Sequence, residues 1–158
     1  GETVVEEPGI NAKLNEVQAA FGLVSLKYVE NAIKKRKKVA LFYRDAIDHI
    51  SGLSYLNEME GVTYNYSYFP IFVDADKYGM SRDELYENMK QQDVLGRRYF
   101  YPLISYFKPY RDLPSASPGR LPVAHHIADS VICLPMHHDL SKNDLEKIVS
   151  LLQQFGKN

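Results

Sequence analysis

A long helical repeat occupies the first third of this chain and limits the folds open to it. Apolar residues recur at helical spacing from Asn15 to about residue 50. They form two stripes in the first half, with Leu14, Val17, Phe21, Val24 and Tyr28 in one and Gly22, Leu26, Val29 and Ile33 in the other. A helix that is apolar on two faces is buried on two sides. We therefore expect one side to pack on the domain's own core and the other on a partner domain or subunit.

The same helix has clear start and stop signals. Asn15 is the predicted N-cap, and Ser51 with Gly52 is the predicted end. The basic run KKRKK at 34–38 predicts a solvated helix face. Beyond it an apolar face resumes, formed by Val39, Phe42, Tyr43, Ala46, Ile47 and Ile50.

Short strands and helices follow, and their pattern predicts an α+β domain. Strands are predicted at 64–74, where Pro70 indicates an edge position or a bulge, at 94–101, and at 131–134, which should be buried. Helices are predicted from the Ser81–Glu84 capping box to about Gln92, over 122–130, and after Ser141, with Leu145, Ile148, Val149, Leu152 and Phe155 as the last core stripe. A sheet of about three strands covered by helices on one face fits this order.

Composition excludes several classes of protein. The 158 residues carry 19 Lys and Arg against 20 Asp and Glu, so no basic surface for nucleic acid is expected. No apolar run approaches the roughly 20 residues of a membrane span. The single cysteine, Cys133, is compatible with a reducing compartment, and we expect a cytoplasmic protein. The pairs His125-His126 and His137-His138 lack the spacing of a metal site, so no metal is expected.

Three segments resemble one enzyme family. Residues 9–22, GINAKLNEVQAAFG, are similar to the G-x-N-x-R/K and E-x-Q-A-A-x-G motif of the DegT/StrS-type nucleotide-sugar aminotransferases. The stretches RRYFYPLI at 97–104 and LPVAHHIADSVICLPMHHDLS at 121–141 resemble its C-terminal half, in the same order. The resemblance implies the small C-terminal domain of a fold-type I enzyme that uses pyridoxal 5'-phosphate (PLP). It implies a lead-in loop at 1–13 from a large preceding domain, and the small domain itself at 14–158.

The resemblance also implies partners and site residues. It implies a homodimer that acts on a nucleotide-linked keto-deoxysugar with an amino donor such as glutamate. Asn11 would reach the PLP phosphate of the neighbouring subunit, with Lys13 where the family usually has Arg; a lysine lacks the bidentate fork. Arg97, Tyr99 and Tyr101 would contact the substrate from one face of the predicted strand, although the tyrosines could instead fill the space between domains.

The lysines do not match the family's PLP-binding lysine. That lysine lies in an S-x-x-K segment before a glycine-rich stretch, and no such context occurs here. We therefore expect this polypeptide alone to be inactive and to need its PLP domain. The alternatives are a non-catalytic dimerisation or interaction module of the same fold, and a binding protein whose similarity is accidental.

Overall fold

The structure is a computed structural model that describes residues 13–99 and 101–156. The chain divides into two compact units, residues 1–32 and 33–158. Helix α1 (Glu16–Ile47) begins in the first unit and ends in the second. The Asn15 side chain accepts a hydrogen bond of 2.8 Å from the Gln18 backbone N–H, which confirms the predicted cap.

The described part of the first unit exposes apolar side chains along α1. Eight large apolar residues are 40 to 80% exposed: Leu14, Val17, Phe21, Leu23, Val24, Leu26, Tyr28 and Val29. Both predicted stripes contribute to this set, so neither stripe is buried against the described residues, and the expected packing of one stripe on the domain's own core is not found there. No helix among the described residues is long and apolar enough to cross a membrane.

The core lies in the second unit, between the end of α1, a small sheet and further helices. Val39, Tyr43, Ile47 and Ile50 are buried, as the resumed apolar face predicts. Helix α1 ends at Ile47, earlier than predicted, because a turn over 48–52 precedes the first strand. Gly52 has a φ of 80° in that turn, and a Cβ there would overlap the Tyr78 backbone.

The sheet has three antiparallel strands in the order β1-β2-β3: Leu53–Tyr55, Phe69–Val73 and Val131–Leu134. Pro70 does not lie on an edge strand, because β2 is the central strand; however, β1 pairs only with residues 71–73 of β2, so Pro70 has no paired neighbour in β1 and occupies a local edge position, as predicted. Pro70 lies opposite Cys133, whose own N–H and C=O both bond to Arg97 instead. Pro70 therefore faces no ladder acceptor there, and its missing N–H is tolerated.

Three of the four described α-helices that begin in the second unit agree with their sequence signals, whereas the short helix α2 (Ala75–Tyr78) was not predicted. The three are α3 (Arg82–Gln91), α4 (Pro122–Ser130) and α5 (Lys142–Phe155). Both predicted capping boxes are formed, from Ser81 to Glu84 and from Ser141 to Asp144. Of the last predicted stripe, Ile148, Val149 and Leu152 are buried, whereas Leu145 and Phe155 pack half-buried against the core.

Two predicted strands differ from the structure. Residues 64–68 are irregular, and the described residues of the predicted strand at 94–101 form only a single bridge, between Arg97 and Cys133. The third strand of the sheet is instead β1, which is too short to give an alternating pattern. Tyr66 explains the first difference, because its φ of 52° is incompatible with a strand. The predicted α+β class with a three-stranded sheet is nevertheless confirmed.

Candidate substrate-binding site

Arg97 is held at the edge of β3 by its own backbone. Its N–H donates to the Cys133 carbonyl at 3.0 Å, and the Cys133 N–H donates back at 2.8 Å. The exposed side chain then turns to Tyr99, and its Nη1 donates to the Tyr99 hydroxyl at 3.0 Å. The guanidinium carbon lies 5.8 Å from the centre of the Tyr99 ring. The sequence prediction that Arg97 and Tyr99 lie together is therefore met, although no strand is present.

Tyr68 joins this pair and was missed in the sequence, where it appeared as part of a strand. The Tyr68 and Tyr99 rings lie 5.0 Å apart at an interplanar angle of 60°. The hydrogen bond from the Tyr68 hydroxyl, and after it the Arg97 guanidinium, lower the pKa of Tyr99. The same hydrogen bond raises the pKa of Tyr68. The three side chains thus form one polar cluster in which the Tyr99 oxygen is the acceptor.

Tyr101 belongs to a different cluster, which corrects the prediction that it shares a face with Arg97 and Tyr99. The guanidinium carbons of Arg82 and Arg98 lie 4.8 Å and 5.0 Å from its ring centre. Arg98 also lies 4.3 Å from the ring centre of Tyr86. Strict strand alternation would place the Arg98 side chain on the face opposite that of Arg97, Tyr99 and Tyr101. The segment leaves the sheet after one bridge, so alternation no longer applies.

One carboxylate holds both of these arginines. Asp83 Oδ1 accepts a hydrogen bond of 2.8 Å from Arg98 Nη1 and lies 2.9 Å from Arg82 Nε. The Arg82 contact is an ion pair without hydrogen-bond geometry, since that Nε has no hydrogen-bond partner among the described residues. Partial burial alone would raise the pKa of Asp83, but the hydrogen bond from Arg98 and both positive charges lower it overall.

Arg82 anchors this second cluster in the core. Its side chain is 1% exposed, and its Nη1 donates to the Val131 carbonyl at 2.9 Å. A buried guanidinium requires both a counter-charge and hydrogen bonds. Asp83 supplies the counter-charge, and the Val131 carbonyl supplies one acceptor. The Tyr101 ring therefore packs against a guanidinium group whose position is fixed.

The two clusters border one open hollow of about 470 Å³. Arg97, Arg98, Tyr99 and Tyr101 all line it, together with Phe107. The two arginines differ in charge balance. Arg98 is paired with Asp83, a carboxylate that it shares with Arg82, whereas none of the described carboxylates lies within ion-pair distance of Arg97. Arg97 is therefore the cation available to an anionic ligand.

His137, His138 and Asp139 converge more closely than their sequence spacing indicates. Their ligand atoms lie within 4.8 Å of one another. However, Lys35 Nζ already lies 3.1 Å from Asp139 Oδ1, and His137 Nδ1 accepts from the Asp139 backbone N–H at 3.2 Å. Nδ1 of His137 is therefore already engaged, and only Nε2 of this residue is left for a metal ion. The cluster is better explained as an ion pair with two supporting histidines.

The structure does not test the two predicted PLP-phosphate residues, Asn11 and Lys13. Lys13 is exposed in the described chain. Asn11 lies outside the described residues. All described lysines are exposed, and none has the buried setting that lowers the pKa of a lysine for covalent cofactor binding.

Comparison with known proteins identifies the family. The DegT/DnrJ/EryC1/StrS aminotransferase family matches residues 1–153. The chain belongs to this family. Members of the family are PLP-dependent aminotransferases, so the resemblance seen in the sequence is confirmed.

Relatives of this aminotransferase family are longer than the chain. A dTDP-4-amino-4,6-dideoxy-D-glucose transaminase of Escherichia coli is 46% identical over 151 residues, which are 96% of this chain and 40% of that enzyme. Its counterpart from Shigella dysenteriae is 39% identical over 154 residues, covering 98% of this chain and 41% of that enzyme. The crystal structure of DesI with its TDP-sugar product superposes with a TM-score of 0.83 at 29% identity, covering 92% of this chain and 36% of DesI. The chain thus spans about two fifths of these relatives.

Proposed function

We propose that this chain is the small C-terminal domain of a PLP-dependent transaminase that acts on a dTDP-linked keto-6-deoxysugar, with an amino donor such as glutamate. The observation that carries the proposal is the 46% identity to a dTDP-4-amino-4,6-dideoxy-D-glucose transaminase over 151 residues. The matched region is 96% of this chain and so includes both clusters of the candidate site. A keto-sugar linked to a diphosphate needs hydrogen-bond donors and a cation, and the hollow offers both.

The side chains of this domain would bind and orient the substrate. Arg97 is fixed on one side by Tyr99 and has no described carboxylate partner, so its remaining N–H groups suit a phosphate or carboxylate oxygen. Tyr101 has two guanidinium groups packed against its ring, which limits the directions available to its hydroxyl. Preorganised groups of this kind reduce the ordering cost of binding.

PLP, when bound, supplies the electron sink that transamination requires. The described residues do not offer a lysine suited to carry it, because every described lysine is exposed. We therefore derive no chemical step from this domain and propose that the PLP lysine belongs to another part of the complete enzyme. In a homodimer, Asn11 and Lys13 would contribute to holding the cofactor phosphate of the neighbouring subunit.

A chimeric enzyme tests the proposal. The part of the E. coli transaminase that precedes its match is fused to this chain, and transfer of the amino group from glutamate to a dTDP-linked 4-keto-6-deoxyglucose is measured. Transfer activity in the chimera supports the proposal if the Arg97→Ala variant of the chimera folds normally but loses that activity. A chimera that folds, binds PLP and shows no transfer, while the E. coli parent is active, contradicts it.

A second function is favoured by one specific observation. The apolar residues of α1 in the first unit are 40 to 80% exposed, as in a surface that binds another protein. A non-catalytic interaction module of the same fold would keep this surface without the substrate contacts. In that case the inactive chimera would still dimerise, and Arg97→Ala would have no effect on any measured property.

A further inference from the structure

A second concave site lies beside the candidate site, between the end of α1 and the irregular segment before β2. Its volume is about 390 Å³, and Tyr55, Tyr64, Tyr66 and Tyr68 line it together with Arg44 and Leu56. We call it the tyrosine cleft. Its size is within the range of small-molecule sites.

The hydroxyl groups of the tyrosine cleft are already engaged. Tyr55 donates to Asp48 at 2.9 Å, Tyr66 donates to Glu58 at 3.0 Å, and Tyr64 accepts from the Met59 backbone N–H at 2.8 Å. These bonds fix the rings, and the left-handed φ of 52° at Tyr66 is kept by the same framework. The cleft therefore presents ring surfaces, which suit the faces of a planar aromatic ligand.

Arg44 contributes one hydrogen-bond donor without a described acceptor to the otherwise apolar surface of the tyrosine cleft. Its Nη1 pairs with Glu58 at 2.8 Å, and its guanidinium lies 5.5 Å from the Tyr55 ring centre. Its Nε is buried and has no hydrogen-bond partner among the described residues. A buried N–H without an acceptor is unfavourable, so a ligand carbonyl oxygen at this point would satisfy it.

Tyr68 connects the tyrosine cleft to the candidate substrate site. It lines the cleft, and its ring also contacts the ring of Tyr99, the residue that receives the Arg97 hydrogen bond. A ligand that places a planar ring in the cleft would thus place the group attached to it near the unneutralised Arg97. A pyrimidine nucleotide has this arrangement, with ring carbonyls at one end and a diphosphate at the other.

We propose that the tyrosine cleft binds the pyrimidine base of the nucleotide-linked substrate, with the base stacked on the tyrosine rings and a base carbonyl accepting from Arg44 Nε. This inference rests on the proposed function, because that function supplies the nucleotide. It assigns a binding role to Tyr64, Tyr66, Tyr68 and Arg44, none of which the sequence motifs indicated.

The test is a titration of the 158-residue chain with dTDP to about 10 mM, a range that detects millimolar affinity. Tyrosine ring resonances are followed by NMR, with pyrophosphate and ADP titrated in parallel. We expect dTDP to shift the Tyr64 and Tyr66 resonances, and pyrophosphate to leave them unchanged. ADP should shift them less, because a purine lacks the pyrimidine carbonyls.

Two variants and a control locate the base. Leu56→Glu places a carboxylate in the cleft at a residue that is 63% exposed, and should weaken dTDP binding by about tenfold. Leu41→Glu makes the same change on α1 at a residue that is 50% exposed and outside the cleft, and should have no effect. Arg44→Lys keeps the charge beside Glu58 but removes Nε, and should cost about 2- to 12-fold.

Shifts confined to Tyr99 and Tyr101, shifts of the cleft tyrosines by pyrophosphate alone, or no shifts up to the highest dTDP concentration would each overturn the assignment. These outcomes are separate from failure of the proposed function, which the transfer activity of the chimera measures. An active chimera whose Leu56→Glu and Leu41→Glu forms have equal KM for the sugar nucleotide would reject the cleft and leave the transaminase proposal standing.

Discussion

The carboxylate of Asp83 should matter more for stability than its exposed position indicates. Exposed ion pairs usually contribute about 0.2–1 kcal/mol, whereas removing one partner of a buried pair costs about 3–5 kcal/mol. Asp83 has a side chain that is 51% exposed, but its partner Arg82 is 1% exposed and cannot be resolvated without opening the core. We therefore expect Asp83→Asn to lower the free energy of unfolding by an intermediate amount, about 1–2 kcal/mol.

Urea unfolding of the chain at neutral pH measures this change. With a slope of about 2 kcal/mol per molar urea, the midpoint should fall by about 0.5–1 M. Asp45→Asn is the matched control, because Asp45 is an exposed aspartate on α1 that makes no described ion pair. Its midpoint should be unchanged.

The destabilisation caused by Asp83→Asn should also depend on pH, and it should be larger at neutral pH than in acid. The folded state lowers the pKa of Asp83, so its stabilisation is present above the unfolded pKa of about 3.9 and is lost as pH falls through the folded value. The difference between wild type and Asp83→Asn should therefore shrink below about pH 4. If Asp83→Asn and Asp45→Asn shift the midpoint equally at neutral pH, the argument that Arg82 depends on this carboxylate is refuted.

Three further predictions concern separate parts of the domain. Gly52→Ala should destabilise the fold by at least ~2 kcal/mol, because it combines a left-handed φ with overlap on the Tyr78 backbone; an unchanged melting temperature would contradict this. Tyr68→Phe removes the donor to Tyr99 and should raise the pKa of Tyr99, which an ultraviolet titration of tyrosinate against wild type measures. Incubation of the chain with PLP and borohydride should label no single lysine stoichiometrically, as mass spectrometry of the peptides would show; one specific adduct would overturn the expectation.

Local signals in the sequence predicted the elements whose determinants are local. The capping boxes at Ser81 and Ser141 and the helix beginning at Pro122 are formed by residues within one turn of each other, and the structure reproduces them. Strand prediction failed where pairing with distant segments of the chain, rather than local propensity, decides whether a strand forms. The tyrosine-rich residues 64–68 have high β propensity, yet Tyr66 is left-handed because the segment folds over the tyrosine cleft.

Arg97 and Arg98 show why a site cannot be derived from residue types alone. They are adjacent in the chain and chemically identical, and the predicted strand separates them only by face, which does not indicate which charge is paired. Their environments come from residues far along the chain. Asp83, on α3, pairs with Arg98, whereas Arg97 contacts the phenol of Tyr99, which in turn contacts Tyr68 from the segment before β2. The same side chain therefore has a structural role at one position and is open to a ligand at the next, and the difference is the placement of one carboxylate.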